Sequence, residues 1–324
     1  MKARHLLPTL AVAAVAAIPG VSTASAAVTS NEQVSENWSG YVASGNSQFS
    51  SASGSWVQPS AACSGGDGYS AFWVGIGGSD QGSQALEQVG TQSNCLGGQT
   101  QYYAWYELVP AAPVKLDLTI SPGDHIASRV TVNGTNVTVS LTDETTGASA
   151  TKTLQMSDPD TSSAEWIAEA PSQCDGDGAC QPLALADFGT VNFSSASATA
   201  GGHTGTISDP DWTATPVALS GGAGDPGFVS DQGSSSAGAQ PTALSSGGSS
   251  FSVSWQSDGS AQTASSGGAG GAGGGAGGDG GGAGGDGGGY GYGGGGYGYG
   301  YGGYPGGGGG YGYGGYGGGY SDGL

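Results

Sequence analysis

From position 37 to position 256 apolar and polar residues alternate over short runs, and turn-forming residues break the alternation about every 8 to 12 positions. Val130 and Val132 alternate with polar neighbours, Asn133-Gly134 follows as a hairpin pair, and Val137, Val139 and Leu141 resume the pattern. Asp143-Glu144-Thr145-Thr146-Gly147 reads as the next turn. Outside the N-terminal 26 residues no long stretch carries a helical period, and Ser, Thr and Gly dominate the connections. Short strands with one apolar face need a second layer to cover it. The pattern therefore predicts an all-β domain, an antiparallel two-sheet β-sandwich.

The alternation fails at both ends of the chain. Lys2 and Arg4 precede an apolar run beginning at Leu6 and ending at Ile18, and Ala24-Ser25-Ala26 supplies a small-x-small cleavage pattern. That run is shorter than the roughly 20 residues a spanning helix needs, so residues 1–26 read as a secretory signal peptide and the exported chain as secreted, with no membrane association once the signal is removed. At the other end, residues 259–324 hold 39 of the 70 glycines, and residues 290–320 hold 10 of the 15 tyrosines. Glycine has the most backbone entropy to lose and no side chain to bury, so a disordered Gly/Tyr-rich C-terminal tail is expected. Its regular Tyr-Gly spacing suits weak contacts with cell-wall polymers or other tails, and the plainer alternative is an extension with no specific partner. The expected organisation is a signal peptide at 1–26, a short segment at 27–35, the sandwich domain at 36–257 and the tail at 258–324.

Charge narrows the function. Lys and Arg total 5 against 25 Asp and Glu, giving a formal net charge of −20. After signal removal the remaining cations are Lys115, Arg129 and Lys152. Phosphate neutralisation needs basic clusters, so nucleic-acid partners and a polybasic membrane patch are excluded. Stability cannot rest on ion pairs, and protonating surplus carboxylates relieves their repulsion, which suits an exported protein that tolerates acid. An acidic surface that merely aids solubility is the competing explanation. Four cysteines in an oxidising compartment suit two disulfides. Three pairings are formally open; the short segment between Cys174 and Cys180 favours a local staple there, leaving Cys63 with Cys95. A metal site is disfavoured, because the cysteine spacings do not fit and His125 and His203 stand alone.

Familiar hydrolytic motifs are missing: there is no G-x-S-x-G elbow, no H-E-x-x-H helix and no Asp-Thr-Gly or Asp-Ser-Gly pair. His125 and His203 each lack a motif and read as surface residues, so enzymatic chemistry here falls to carboxylates and amides. Five stretches then stand in order: Asn37-Trp38-Ser39-Gly40-Tyr41, Trp73-Val74-Gly75-Ile76, Leu86-Glu87-Gln88-Val89-Gly90, Ala104-Trp105-Tyr106-Glu107 and Ala164-Glu165-Trp166-Ile167. Ala186-Asp187-Phe188-Gly189-Thr190-Val191 follows. In this order and spacing the chain resembles the glutamic peptidases, or eqolisins, acid endopeptidases built on a lectin-like (concanavalin-like) β-sandwich. It departs from the family at Gly77, where an aspartate is common, and in a slightly longer stretch from Trp73 to Gln88.

The resemblance implies a secreted acid endopeptidase, with Glu165 and Gln88 as the catalytic pair and Trp38 and Trp73 lining a wet, concave cleft. Glu107 is either a site-facing carboxylate, bearing on substrate, or a solvent-facing alternate position. Chemistry gives these types their own reasons: a carboxylate can take a proton from water, and an amide can both orient that water and donate to the oxyanion. Neighbours on a strand point to opposite faces, so only one of Glu87 and Gln88 can enter the cleft. The expected partners are protein or peptide substrates, the expected state is a monomer, and no cofactor is implied. The rival from another class is a non-catalytic carbohydrate-binding or cell-surface sandwich, in which the tryptophans stack on sugars.

Overall fold

The computed structural model describes residues 32–80, 82–174, 180–220 and 237–257. The expected signal at 1–26 and the expected tail at 258–324 lie outside the described residues. Among those described there is no helix, and the strands fall into two layers. One layer runs in the order β10 (Ala148–Gln155), β9 (Asn136–Asp143), β8 (His125–Asn133), β3 (Phe49–Val57), β14 (Thr190–Ala200), β18 (Phe251–Gln256). The other runs β16 (Thr213–Leu219), β2 (Trp38–Ser44), β11 (Ser163–Glu169), β4 (Ala71–Ile76), β5 (Leu86–Leu96), β6 (Gln99–Val109), β7 (Val114–Lys115). A short strand, β17 (Gly238–Pro241), pairs with both β18 and β16, so the sandwich is one hydrogen-bonded sheet doubled over on itself. Residues ahead of the expected domain boundary also take part: β1 (Gln33–Ser35) adds to β16 in parallel.

The alternation read from the sequence survives in β8 and β9, where every second residue is buried. Asn133 pairs with Asn136 across the expected turn, with Gly134 at φ 59°. The interlayer core includes Trp56, Phe72, Val74, Ile126, Leu141 and Trp166, all buried. Indole donors tie the layers together: Trp166 Nε1 donates to Ser53 O at 2.8 Å, and Trp56 Nε1 donates to Thr91 Oγ1 at 3.0 Å. Gly40 of the Asn-Trp-Ser-Gly-Tyr motif is required by this packing, since a Cβ there would stand 2.0 Å from Trp166 O.

Strands β2, β4, β5 and β11 depart from simple alternation, because they are buried on both faces. One face meets the interlayer core. The other carries a second, smaller apolar cluster that includes Trp38, Val42, Trp73, Leu86, Trp105 and Ile167. Cys63 and Cys95 form a disulfide that ties the connection after β3 to the end of β5. In the short hairpin of β12 (Ser172–Cys174) and β13 (Cys180–Pro182) the backbone register sets position 174 opposite Cys180, and Cys180 is disulfide-bonded.

Candidate active site

The second apolar cluster identifies the face on which the chemistry sits. With side chains alternating along each strand, Glu165, Ile167 and Glu169 share this face of β11, while Ala164, Trp166 and Ala168 enter the interlayer core. On β5, Leu86 and Gln88 share it and Val89 does not. The strand register then builds one row across four strands: Glu165 pairs with Gly75, Gly75 with Gln88, and Gln88 with Glu107. Strands lie about 4.8 Å apart, so the backbones carrying Glu165 and Gln88 are roughly 10 Å apart with a residue lacking a side chain between them. Two side chains can converge over that gap.

Glu107 belongs to the same face. Gln88 Nε2 donates to Glu107 Oε2 at 2.8 Å, so the site-facing alternative holds for this carboxyl. Trp38 and Trp73 lie on the face too, in an edge-to-face pair with centroids 5.1 Å apart. Glu87, one residue from Gln88, turns to the opposite face and accepts a hydrogen bond from Asp160 N at 3.3 Å. The expectation of a wet cleft is not met: Glu165 is 0 % and Gln88 4 % exposed, because the tryptophans, Leu86 and Ile167 wall the row.

Burial dominates the electrostatics. It pushes the Glu165 carboxyl well above the usual range, with the nearby carboxylates of Asp160, Glu87 and Asp80 acting in the same direction against the Ser163 hydroxyl. Glu107 is raised to about 8 by burial and by Glu169, against the stabilising Gln88 amide. Glu169 is raised to about 7, burial again outweighing the N–H groups of Trp73, Trp38 and Asn37. No cation offsets these charges: among the described residues the ion pairs are those of exposed His203 with Asp209 and Asp211.

Several polar atoms on this face are buried without a hydrogen-bond partner: both oxygens of Glu165, Gln88 Oε1, Glu107 Oε1, and the indole nitrogen of Trp105. Native interiors rarely leave such groups unpaired, and their concentration on one row marks a place built to meet another molecule. Glu169 was missed in the sequence, although its position four residues after Glu165 on a strand puts it on the same face.

The fold agrees with relationships found across known proteins. A model of the Peptidase A4 family matches residues 36–221. The chain belongs to the Peptidase A4 family. Aspergillopepsin-2 of Aspergillus niger is 36% identical to it over 202 residues, which is 54% of this chain and 68% of that protein. Among solved structures, scytalido-glutamic peptidase with a transition-state analogue inhibitor is similar at a TM-score of 0.54 and 26% identity, over 68% of this chain and 98% of that one. SCP-B, an eqolisin-family peptidase in complex with the tripeptide Ala-Ile-His, is similar at a TM-score of 0.51 and the same identity and coverage. As a Peptidase A4 member the chain is a glutamic endopeptidase, and the carbohydrate-binding alternative falls away.

Proposed function

We propose that Glu165 and Gln88 hydrolyse peptide bonds by activating water directly, with no covalent intermediate, in a secreted enzyme acting on proteins or peptides in acid. The observation that carries this reading is the row itself: Glu165, Gln88 and Glu107 are aligned across Gly75, and four of their oxygens are buried without partners. Water placed between Glu165 and the Gln88 Oε1 atom would satisfy acceptors on both sides. Its oxygen attacks the peptide carbonyl carbon while its proton passes to a Glu165 oxygen. Gln88 has two N–H protons, one committed to Glu107 and one free for the developing oxyanion. The C–N bond then breaks as Glu165 returns the proton to the leaving nitrogen. A raised carboxyl is a stronger base for each ionised molecule, at the cost of a smaller ionised fraction in acid. Export rests on the signal pattern at 1–26, and a monomer is the proposed state.

Denatured casein or haemoglobin assayed from pH 2 to 7 tests the activity. Glu165→Gln should lower kcat/KM by at least about 10³, and Gln88→Ala by at least about 10² through the lost oxyanion donor. Glu87→Gln should retain hydrolysis, since that side chain leaves by the other face. Acid proteolysis that persists in Glu165→Gln, or that is lost in Glu87→Gln and kept in Gln88→Ala, would overturn the assignment.

A further inference from the structure

The sheet face that holds the catalytic row has a third carboxyl that the proposed chemistry does not use. Glu169 lies two alternate positions along β11 from Glu165 and is almost wholly buried. Its two oxygens are both engaged: Oε2 accepts from Trp73 Nε1 at 2.7 Å, and Oε1 accepts from Asn37 Nδ2 at 3.2 Å. Asn37 is fixed in turn, its Oδ1 accepting from Ser35 Oγ at 3.2 Å.

The other end of the Trp73 ring reaches the catalytic row. A Cβ built on Gly75 would stand 2.8 Å from Trp73 Cζ3 and 3.2 Å from Cε3. Gly75 is the residue flanked in register by Glu165 and Gln88. Gly90, the next glycine on this face, admits the base of the same side chain, since a Cβ there would fall 2.6 Å from Trp73 Cβ. The indole therefore lies along the strand, anchored through its nitrogen at one end and filling the space over Gly75 at the other. Trp38, set edge-to-face against it, limits rotation of the ring.

We infer that Glu169 is a positioning residue: by holding the Trp73 indole it fixes the surface over which Glu165 and Gln88 converge. It touches no reacting atom, and the inference rests on the assignment of Glu165 and Gln88 as the catalytic pair. A carboxyl suits the post because both of its oxygens can accept, the hydroxyl oxygen of the neutral form included, so it meets two donors at once. An amide cannot: with its oxygen turned to Trp73, its NH₂ would face the NH₂ of Asn37.

That mismatch supplies the test. Glu169→Gln keeps the size of the side chain but sets donor against donor, which should shift the indole and lower kcat by about 10-fold or more while KM changes by less than about 3-fold, because misplacement of catalytic groups is felt in the chemical step. The double variant Glu169→Gln/Asn37→Asp reverses the second hydrogen bond, with the new carboxylate accepting from the new amide, and should recover most of kcat. Near-UV circular dichroism and melting temperature would be read on each protein. A kcat unchanged in Glu169→Gln, or a double variant that regains melting temperature without regaining kcat, overturns the inference. If Glu169→Gln does not fold, Trp73→Phe carries the test by deleting the anchored N–H, and an unchanged kcat there overturns it equally. Failure of the underlying reading is distinguishable, since it would appear as hydrolysis persisting in Glu165→Gln.

Discussion

Glu87 offers the cleanest test of how this fold depends on protons. It is fully buried on the interlayer side of β5, and burial, with Asp160 nearby, raises its carboxyl from 4.5 to about 9. The folded state therefore keeps the proton while the unfolded chain releases it above about pH 4.5, so stability is fully present below that value and falls as pH rises towards 9. Each pH unit in that window removes about 1.4 kcal/mol, or about 3.4 kcal/mol between pH 4.5 and 7. For a domain of this size about 1 kcal/mol moves Tm by 2 to 4 °C, so Glu87 alone should lower Tm by roughly 7 to 14 °C over that range. Glu107, raised to about 8, and Glu169, raised to about 7, act with the same sign. Asp160 acts oppositely, but its carboxyl is depressed and matters only in stronger acid. Glu87→Gln mimics the protonated acid: its oxygen can still accept from Asp160 N, and its NH₂ replaces an O–H that had no better partner. Thermal or urea unfolding of parent and variant at pH 4 and pH 7 isolates the group, because every other titration is shared. The variant should match the parent at pH 4 and exceed it by about 3 kcal/mol at pH 7. A parent equally stable at both pH values, or a variant that loses as much as the parent, would refute the reasoning.

Gly75→Ala should place a methyl 2.8 Å from Trp73 Cζ3 and 3.1 Å from Leu86 Cδ1, costing about 1 to 3 kcal/mol in a melt and at least about 10-fold in kcat; a fully active, fully stable variant would contradict the row geometry. Replacing Cys63 and Cys95, which are 32 positions apart, by serine should cost about 3 to 4 kcal/mol in the loop-entropy model, measurable by urea unfolding, and a loss below about 1 kcal/mol would count against it.

The parts of this molecule legible in the sequence are those governed by local periodicity. Val130, Val132, Val137, Val139 and Leu141 alternate because their strands have one buried face, and Asn133-Gly134 turns where expected. The motifs pointed to Gln88 and Glu165, which the fold sets on one face, and the period of two separated Gln88 from Glu87. What the period could not reveal is which strands lie side by side. That Gly75 separates Glu165 from Gln88 depends on β4 inserting between β11 and β5, a pairing between residues 90 positions apart. The burial of the row was equally hidden, for a second apolar cluster on the outer face arises only when Trp38, Trp73 and Trp105 arrive from three different strands. Gly77 illustrates the same limit. Its lack of a carboxylate reads as a deficiency in the chain, yet in the fold a Cβ at Gly77 would lie 2.6 Å from Asp160 Cβ, so a carboxylate from a distant connection packs against the glycine.

Protonation joins the site to the rest of the chain. Four buried glutamates, Glu87, Glu107, Glu165 and Glu169, occupy the two faces of one layer, and a buried carboxylate is costly unless a cation or several donors meet it. The cations outside residues 1–26 lie elsewhere: Lys115 over the Tyr103 ring, Arg129 donating to Ser51 Oγ, and Lys152 exposed on β10 of the other layer. A neutral carboxyl needs no counter-ion. A cation-poor chain can therefore keep these groups buried at little cost where protons are plentiful, and pays increasingly as pH rises through their shifted values. In the proposed catalytic row a neutral Glu107 accepts from Gln88 without adding a second charge beside an ionised Glu165. Stability thus favours the acidic range through one cause, the burial of carboxyl groups that the sequence gives no basic partner, while the proposed chemistry draws on the fraction of Glu165 that stays ionised.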